Sequence, residues 1–358
     1  MHNYDSSMYE LQFPAPEVSR SGEEGPTLIV ALEGYADAGQ AINESASFLL
    51  SALDHRLLAS FNNDELIDYR ARRPGVVIDN NSVEGIAELH LSINAVKDTS
   101  GRSFLLLSGP EPDIRWEAFT AAVASLVEKF QVSQTICLYA APMTVPHTRP
   151  LVVSAHGNSP KLLEKQFSLD ASYTVPGSAS LMLERLLNKQ GRNVAGYTAH
   201  VPHYLASSSY PQATLGLLQA VSTATDLDFP LNSLVIDAEQ VALSIEEQVS
   251  SSSEIQQVVH MLEQQYDEEL ERYRQRHPHA LMPGESALES EVPSGETLGA
   301  EFEQFLAALE DFDTTDARDN HQNSQEYIID APIVDAETSI DVDLPPTNDA
   351  QENTEREE

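Results

Sequence analysis

The sequence holds one cysteine, Cys137, in 358 residues, so no intrachain disulfide can form and no Cys-rich zinc cluster exists. Cys137 lies in the apolar run Thr135-Ile136-Cys137-Leu138-Tyr139, where a buried structural thiol is expected rather than a nucleophile. Long hydrophobic runs are also missing. Nowhere do the ~18 to 20 consecutive apolar residues of a membrane helix occur. Met1 to Glu10 carries neither a basic patch nor an apolar stretch, so no secretory signal is expected and the cytoplasm is the default compartment. Positive charge is scarce. Lys and Arg number 20 against 57 Asp and Glu, a formal net charge of -37. Such a field repels nucleic-acid phosphate and anionic membrane surfaces, so neither is an expected partner.

Hydrophobic residues make up 41% of the chain, enough for a real core in one large domain or two smaller ones. Residues 1–25 read as a polar lead-in. Thr27 to Leu32 is short, apolar and rich in branched side chains, which predicts a buried strand. A glycine turn, Gly34 to Gly39, and an apolar-faced helix through Leu53 complete the opening of a βαβ unit. Further strands are predicted at His55–Phe61, Val76–Ile78, Phe104–Leu107, Gln134–Tyr139, Val152–His156 and within Asn193–Pro202. Glu88–Val96 alternates polar and apolar residues, as a half-exposed strand does. Helices are predicted at Trp116–Phe130, Ser180–Gln190 and Pro211–Thr225, with Ser178 or Ser180 capping the second. Strands and helices alternating at this density predict a three-layer α/β body over 26–236.

From Asp237 the texture changes. Asp237–Val249 and Ser253–Arg276 are charged and helical, with Ile255, Val258, Val259, Leu262, Tyr266 and Leu270 on one face that needs a surface to bury it. With a last helix from Ser294 to about Leu309, residues 237–309 form a helical appendage. Residues 310–358 carry sixteen acidic and two basic residues with few apolar ones. That composition cannot offset its own ordering entropy, so a disordered acidic tail is expected.

Four constellations bear on chemistry. The turn holding Gly34, Asp37 and Gly39 opens a helix, where backbone amides suit an anion, although its spacing matches neither a Walker nor a dinucleotide motif. A tight strand-to-helix connection is the plainer account. Glu111, Asp113 and Arg115 follow a central strand, where open sheets place ligands. Glu111 suits proton transfer, while capping by Asp113 with Arg115 as its ion partner is the favoured structural reading. His147 and Arg149 in the proline-rich loop Pro142–Pro150 pair a titratable ring with a fixed cation. His156, His200 and His203 lack metal-ligand spacing, so solvated or interface histidines are expected, and Gly177-Ser178-Ala179-Ser180 is not a nucleophile elbow. No metal or cofactor is expected.

Five stretches in order carry a family resemblance: Asp64–Pro74, Leu107–Trp116, Pro142–Pro150, Val201–Leu205, and the helical pair Leu262–Asp267 with Leu298–Glu303. Together they resemble the actinobacterial branch of the PAC2 family, relatives of the proteasome assembly chaperones. The resemblance covers roughly residues 20–310. It implies a phosphorylase-like core with a small helical appendage, and self-association favouring a trimer. Chaperone relatives bind proteasome α subunits, and some end in a hydrophobic residue, a tyrosine and one more residue. The last residues here are Glu355-Arg356-Glu357-Glu358. The leading expectation is a non-catalytic, homo-oligomeric interaction or assembly protein, with another protein as a further partner. The alternative is an enzyme or binder of a small anionic or nucleoside-like ligand. In it Arg115 and Arg149 hold the anion, Gly34, Asp37 and Gly39 complete the site, and Glu111 or His147 moves a proton.

Overall fold

The computed structural model describes residues 8–14, 16, 25–278, 280 and 282–284. The expected helix at 294–309 and the tail at 310–358 lie outside the described residues.

Strand β1 (Tyr9–Leu11) precedes β2 (Thr27–Glu33), α1 (Ala41–Ala52), β3 (His55–Phe61) and the one-turn α2 (Asn63–Leu66). A hairpin of β4 (Val76–Asp79) and β5 (Ser82–Ile86) follows, then β6 (Ser92–Lys97), β7 (Ser103–Pro110), α3 (Trp116–Lys129) and β8 (Gln134–Met143). The chain continues through β9 (Val153–Gly157), α4 (Pro160–Leu163), α5 (Ala179–Lys189), β10 (Asn193–Pro202), α6 (Pro211–Thr225), α7 (Asn232–Ser250) and α8 (Ser253–Arg276).

Eight strands form one mixed sheet in the order β1-β3-β6-β7-β2-β8-β10-β9. The centre is parallel: β2 pairs with β7 and β8, and β8 pairs with β10. The flanks are antiparallel, through β6 on one side and β9 on the other. Every residue of β7 is buried, as are the first six of β2. The apolar runs within them, Leu28–Leu32 and Phe104–Leu107, suit strands covered on both faces. One face carries α1 and α6 over Ile29, Leu106, Ile136 and Tyr197. The other carries α3 and α5 over Val30, Leu105 and Leu107, with Phe119 of α3 packed among them. The three-layer α/β body is therefore present.

Several local expectations need correction. The polar lead-in contributes an edge strand, because Met8 is buried and Tyr9–Leu11 pairs antiparallel with β3. The half-exposed strand expected at Glu88–Val96 begins only at Ser92 and is an interior strand between β3 and β7. Its polar residues Ser92 and Asn94 are buried and bonded to each other. The charged helical region starts at Asn232, and Leu234 and Ala238 of α7 join the core beneath α6. In α8, Val259, Leu262, Tyr266 and Tyr273 are buried within the chain, while Ile255, Val258 and Met261 stay open. The stripe is split because the chain's own surface covers only one side of it.

Phe119 is fully buried, with its ring centroid 5.0 Å from that of Phe61. Truncating it opens a cavity between α3 and the sheet. Phe119→Ala should lower stability by about 3–5 kcal/mol in a denaturant titration, with the slope unchanged.

Candidate functional site

The carboxyl ends of β2, β7, β8 and β10 meet at one edge of the parallel centre, where a site would be sought. The polar residues there form separate clusters.

The first lies after β2 and β7. The Glu111 carboxylate accepts a hydrogen bond from Ala179 N–H at 2.6 Å, at the start of α5. Gly34 faces it directly, and a Cβ at position 34 would collide with the Glu111 carboxylate. Arg72 donates to Asp113 at 3.1 Å and to the Glu33 carbonyl at 3.2 Å. Asp113 also accepts from Asp68 N–H at 2.8 Å. Asp113 therefore holds the 68–72 loop and does not cap α3. Arg115 pairs with Glu65 instead, replacing the expected Asp113 partner. Asp37 takes the amides of Ile42 at 2.7 Å and Asn43 at 3.4 Å. The helix start that suits an anion is thus filled by the chain's own carboxylate, and Gly39, at φ 70°, makes the bend that permits it. Burial raises the pKa of Glu33, Asp37 and Glu111 above the ordinary carboxylate range.

The second cluster lies after β8. Arg149 bonds both Asp267 oxygens at 2.8 Å and reaches Glu263 at 3.2 Å. Thr148 donates to Glu263 at 2.6 Å, and Tyr266 donates to the Pro150 carbonyl at 2.8 Å. The bond to Arg149 holds Asp267 below the usual carboxylate range, and the bond from Thr148 does the same for Glu263. The proline-rich loop is thereby the seat of α8. The His147 ring lies 2.8 Å from the Tyr204 hydroxyl, and its Nε2 is 4.0 Å from Glu246 on α7. Burial lowers its pKa. Glu111 and Gly34 are brought together, with Asp37 in the adjoining turn; Arg115 pairs beside α2, and His147 and Arg149 belong to the helical side.

His203 is exposed, as expected, but the other two histidines differ from expectation. His200 is 5% exposed and bonds Ser154 Oγ at 2.8 Å, so it is a core residue, with burial pushing its pKa down to about 4. His156 Nε2 contacts Glu184 at 3.0 Å, and Tyr139 donates to the same carboxylate at 2.5 Å. Sequence reasoning missed Glu184, a buried acid inside an amphipathic helix with no local motif to mark it. Burial raises the Cys137 thiol well above its usual range, in keeping with a structural thiol. No group of three or more metal-ligating side chains occurs among the described residues, and no described helix is long and apolar enough to cross a membrane. A cleft of about 430 Å³ opens between the end of β8, residues 167–171 and α8, with Tyr266, Tyr273 and Arg276 in its wall.

A family model described as the PAC2 family matches residues 31–249. The chain belongs to the PAC2 family. A Corynebacterium glutamicum crystal structure, of a protein of unknown function, is similar at 63% identity and TM-score 0.73, covering 75% of this chain and 100% of that one. A Mycobacterium tuberculosis protein of unknown function is similar at 46% identity and TM-score 0.71, covering 74% and 93%. A proteasome-assembly chaperone homologue from the same organism shares the fold at 24% identity and TM-score 0.60, covering 65% and 99%. No curated protein matches.

Two predictions concern this PAC2 protein's clusters. A carboxylate whose folded pKa is raised binds protons more readily folded than unfolded, so its contribution to stability falls as pH rises through that window. Glu111→Gln keeps an acceptor for Ala179 N–H and removes the buried charge. It should raise the melting temperature at pH 7 and flatten the rise in stability as pH falls towards the ordinary glutamate range. For Asp267 and Glu263 the sign reverses: their contribution is present above the ordinary carboxylate range and is lost as pH falls through it. Arg149→Met should release α8, seen as faster limited proteolysis within Ser253–Arg276 while the sheet amides keep their protection from hydrogen exchange.

Proposed function

We propose that this PAC2 protein is a non-catalytic, self-associating interaction protein of the assembly-chaperone type, working in the cytoplasm. The observation that carries this reading is the division of labour on its surface. The strand-end polar groups are taken up within the chain: Asp37 by α1, Glu111 by α5, Arg115 by Glu65 and Arg149 by α8. Large apolar side chains stand open on α7, α8 and the β4–β5 hairpin. Exposed apolar patches of this kind mark contacts between proteins. The likeness to a proteasome-assembly chaperone homologue supports the same class, and the family resemblance favours a trimer, with a further protein as client.

A second reading, a binder of a small anionic or nucleoside-like ligand, draws on the 430 Å³ cleft, whose size and place beside a packed helix suit a ligand. Both of its arginines are already committed, Arg276 to Asp170 at 2.6 Å and Arg272 to Glu268 at 2.9 Å. Light scattering coupled to size exclusion, with a thermal-shift panel of nucleosides, nucleotides and phosphate, separates the two. A multimeric mass without ligand-dependent stabilisation is expected. A monomer at every concentration, stabilised saturably by one panel member, overturns the proposal in favour of the ligand reading.

A further inference from the structure

Two hydrogen-bond donors in the wall of the 430 Å³ cleft beside α8 have no acceptor within the chain. The first is His200. Its Nε2 lies 2.8 Å from Ser154 Oγ, and its Nδ1 has no hydrogen-bond partner among the described residues. The sealed side-chain atoms without a partner among those residues are Asn63 Oδ1, His147 Nε2 and His156 Nε2. His200 Nδ1 is not one of them. This atom of a residue only 5% exposed therefore opens on the cleft that His200 lines.

Ser154 fixes which ring nitrogen carries the proton. It is 4% exposed, and its hydroxyl has no partner but His200 Nε2 among the described residues. Were Nε2 protonated, the serine hydrogen would be buried with no acceptor. Donation from Ser154 to Nε2 satisfies both groups and leaves the ring proton on Nδ1, as a donor. Burial keeps the ring neutral at pH 7. The second donor is Tyr273. Its hydroxyl accepts from Ser168 N–H at 3.1 Å, and its own hydrogen has no acceptor among the described residues. Tyr273 is buried, and its ring stacks on Phe167 at 3.9 Å and on His277 at 4.4 Å, so the hydroxyl is held in place. Tyr266, in the same wall, already donates to the Pro150 carbonyl.

The rest of the wall narrows the class of ligand. Met143, Val152, Leu169 and Leu270 supply apolar surface. Its four charged side chains are two acids and two bases, each with a partner: Asp170 with Arg276, Arg272 with Glu268, and Glu269 with Gln265. An anion would find no open cation there and would approach against the field of a chain of net charge -37. Unmet donors, apolar surface and balanced charge suit an uncharged molecule rich in acceptors, since a buried donor left without a partner is costly.

We propose that this cleft binds a small uncharged molecule carrying a carbonyl acceptor on an apolar body, an amide being the plain case, with His200 Nδ1–H and Tyr273 O–H as the donors that recognise it. The proposal is independent of the self-association reading, and it differs from the anionic-ligand reading in the charge of what is bound.

The test uses the full chain. Two uncharged amides, acetanilide and N-methylbenzamide, are titrated by calorimetry against two anions of like size, phenylacetate and benzoate. The amides should bind saturably and the anions should not. Tyr273→Phe keeps the stacked ring and removes the donor, and with its fold checked by circular dichroism it should weaken amide binding about five-fold. Nitrogen-15 spectra of the histidine-labelled chain should show His200, identified by its loss in His200→Gln, as the Nδ1–H tautomer, with its ring signals moved by the amides. Binding of the anions in preference to the amides overturns the proposal in favour of the anionic-ligand reading. Failure of both amides to bind, the Nε2–H tautomer at His200, or unchanged amide affinity in folded Tyr273→Phe also overturns it, and none of these results bears on self-association.

Discussion

The parallel strands at the centre of the sheet are covered by helices on both faces, and this double coverage governs where everything else can go. A strand in that position has little room for polar side chains, so the middles of β2 (Leu28–Leu32) and β7 (Phe104–Leu107) are apolar, and Thr27, Ser103 and Ser108 lie near the strand ends. Polar chemistry is displaced to the strand ends and to the connections beyond them. There the backbone amides of newly started helices and the carbonyls of finished strands need partners. Asp37 and Glu111 meet that need for α1 and α5. Carboxylates at a strand end thus read as structural once their acceptor positions are filled by the chain's own amides.

The acidic excess acts on the same framework from outside. With 57 acids and 20 bases, the few cations are in demand. Arg72, Arg115, Arg149 and Arg276 each hold a carboxylate on a different element. Exposed pairs of this kind contribute modestly to stability, since solvent screens them. Their use here is positional: Arg149 grips two acids of α8 with a planar fork that a lysine could not reproduce.

Periodicity made most of the architecture legible. Unbroken apolar runs marked β2, β7 and β8, and Pro211–Thr225 was readable to the residue because proline opens the helix. The failures have physical causes. β6 is an interior strand that carries Ser92 and Asn94, so its alternation imitated an exposed strand while its polar side chains were satisfied within the sheet. β1 is three residues long, too short for any period to register. The strand-end residues were correctly placed at loops. Their partners were not legible, because Arg149 with Asp267, Arg115 with Glu65 and Glu111 with Ala179 are separated by 118, 50 and 68 positions respectively. The strand at Val76–Ile78 was legible but its exposure was not, for a related reason: exposure belongs to the folded surface, and the same residues read alike whether buried or bare.

Gly196 carries a consequence for the chain's freedom to vary. It lies in β10 opposite both Cys137 and His156, beside the buried contact of His156 with Glu184. A methyl group at this site would come within 2.6 Å of the His156 Nε2 and 2.7 Å of a Glu184 oxygen. Alanine, ordinarily the mildest replacement for glycine in a sheet, is therefore excluded unless the imidazole and carboxylate move first. Mutational drift at position 196 and at the pair it shelters must proceed together, a small epistatic lock set in the middle of an otherwise forgiving hydrophobic strand.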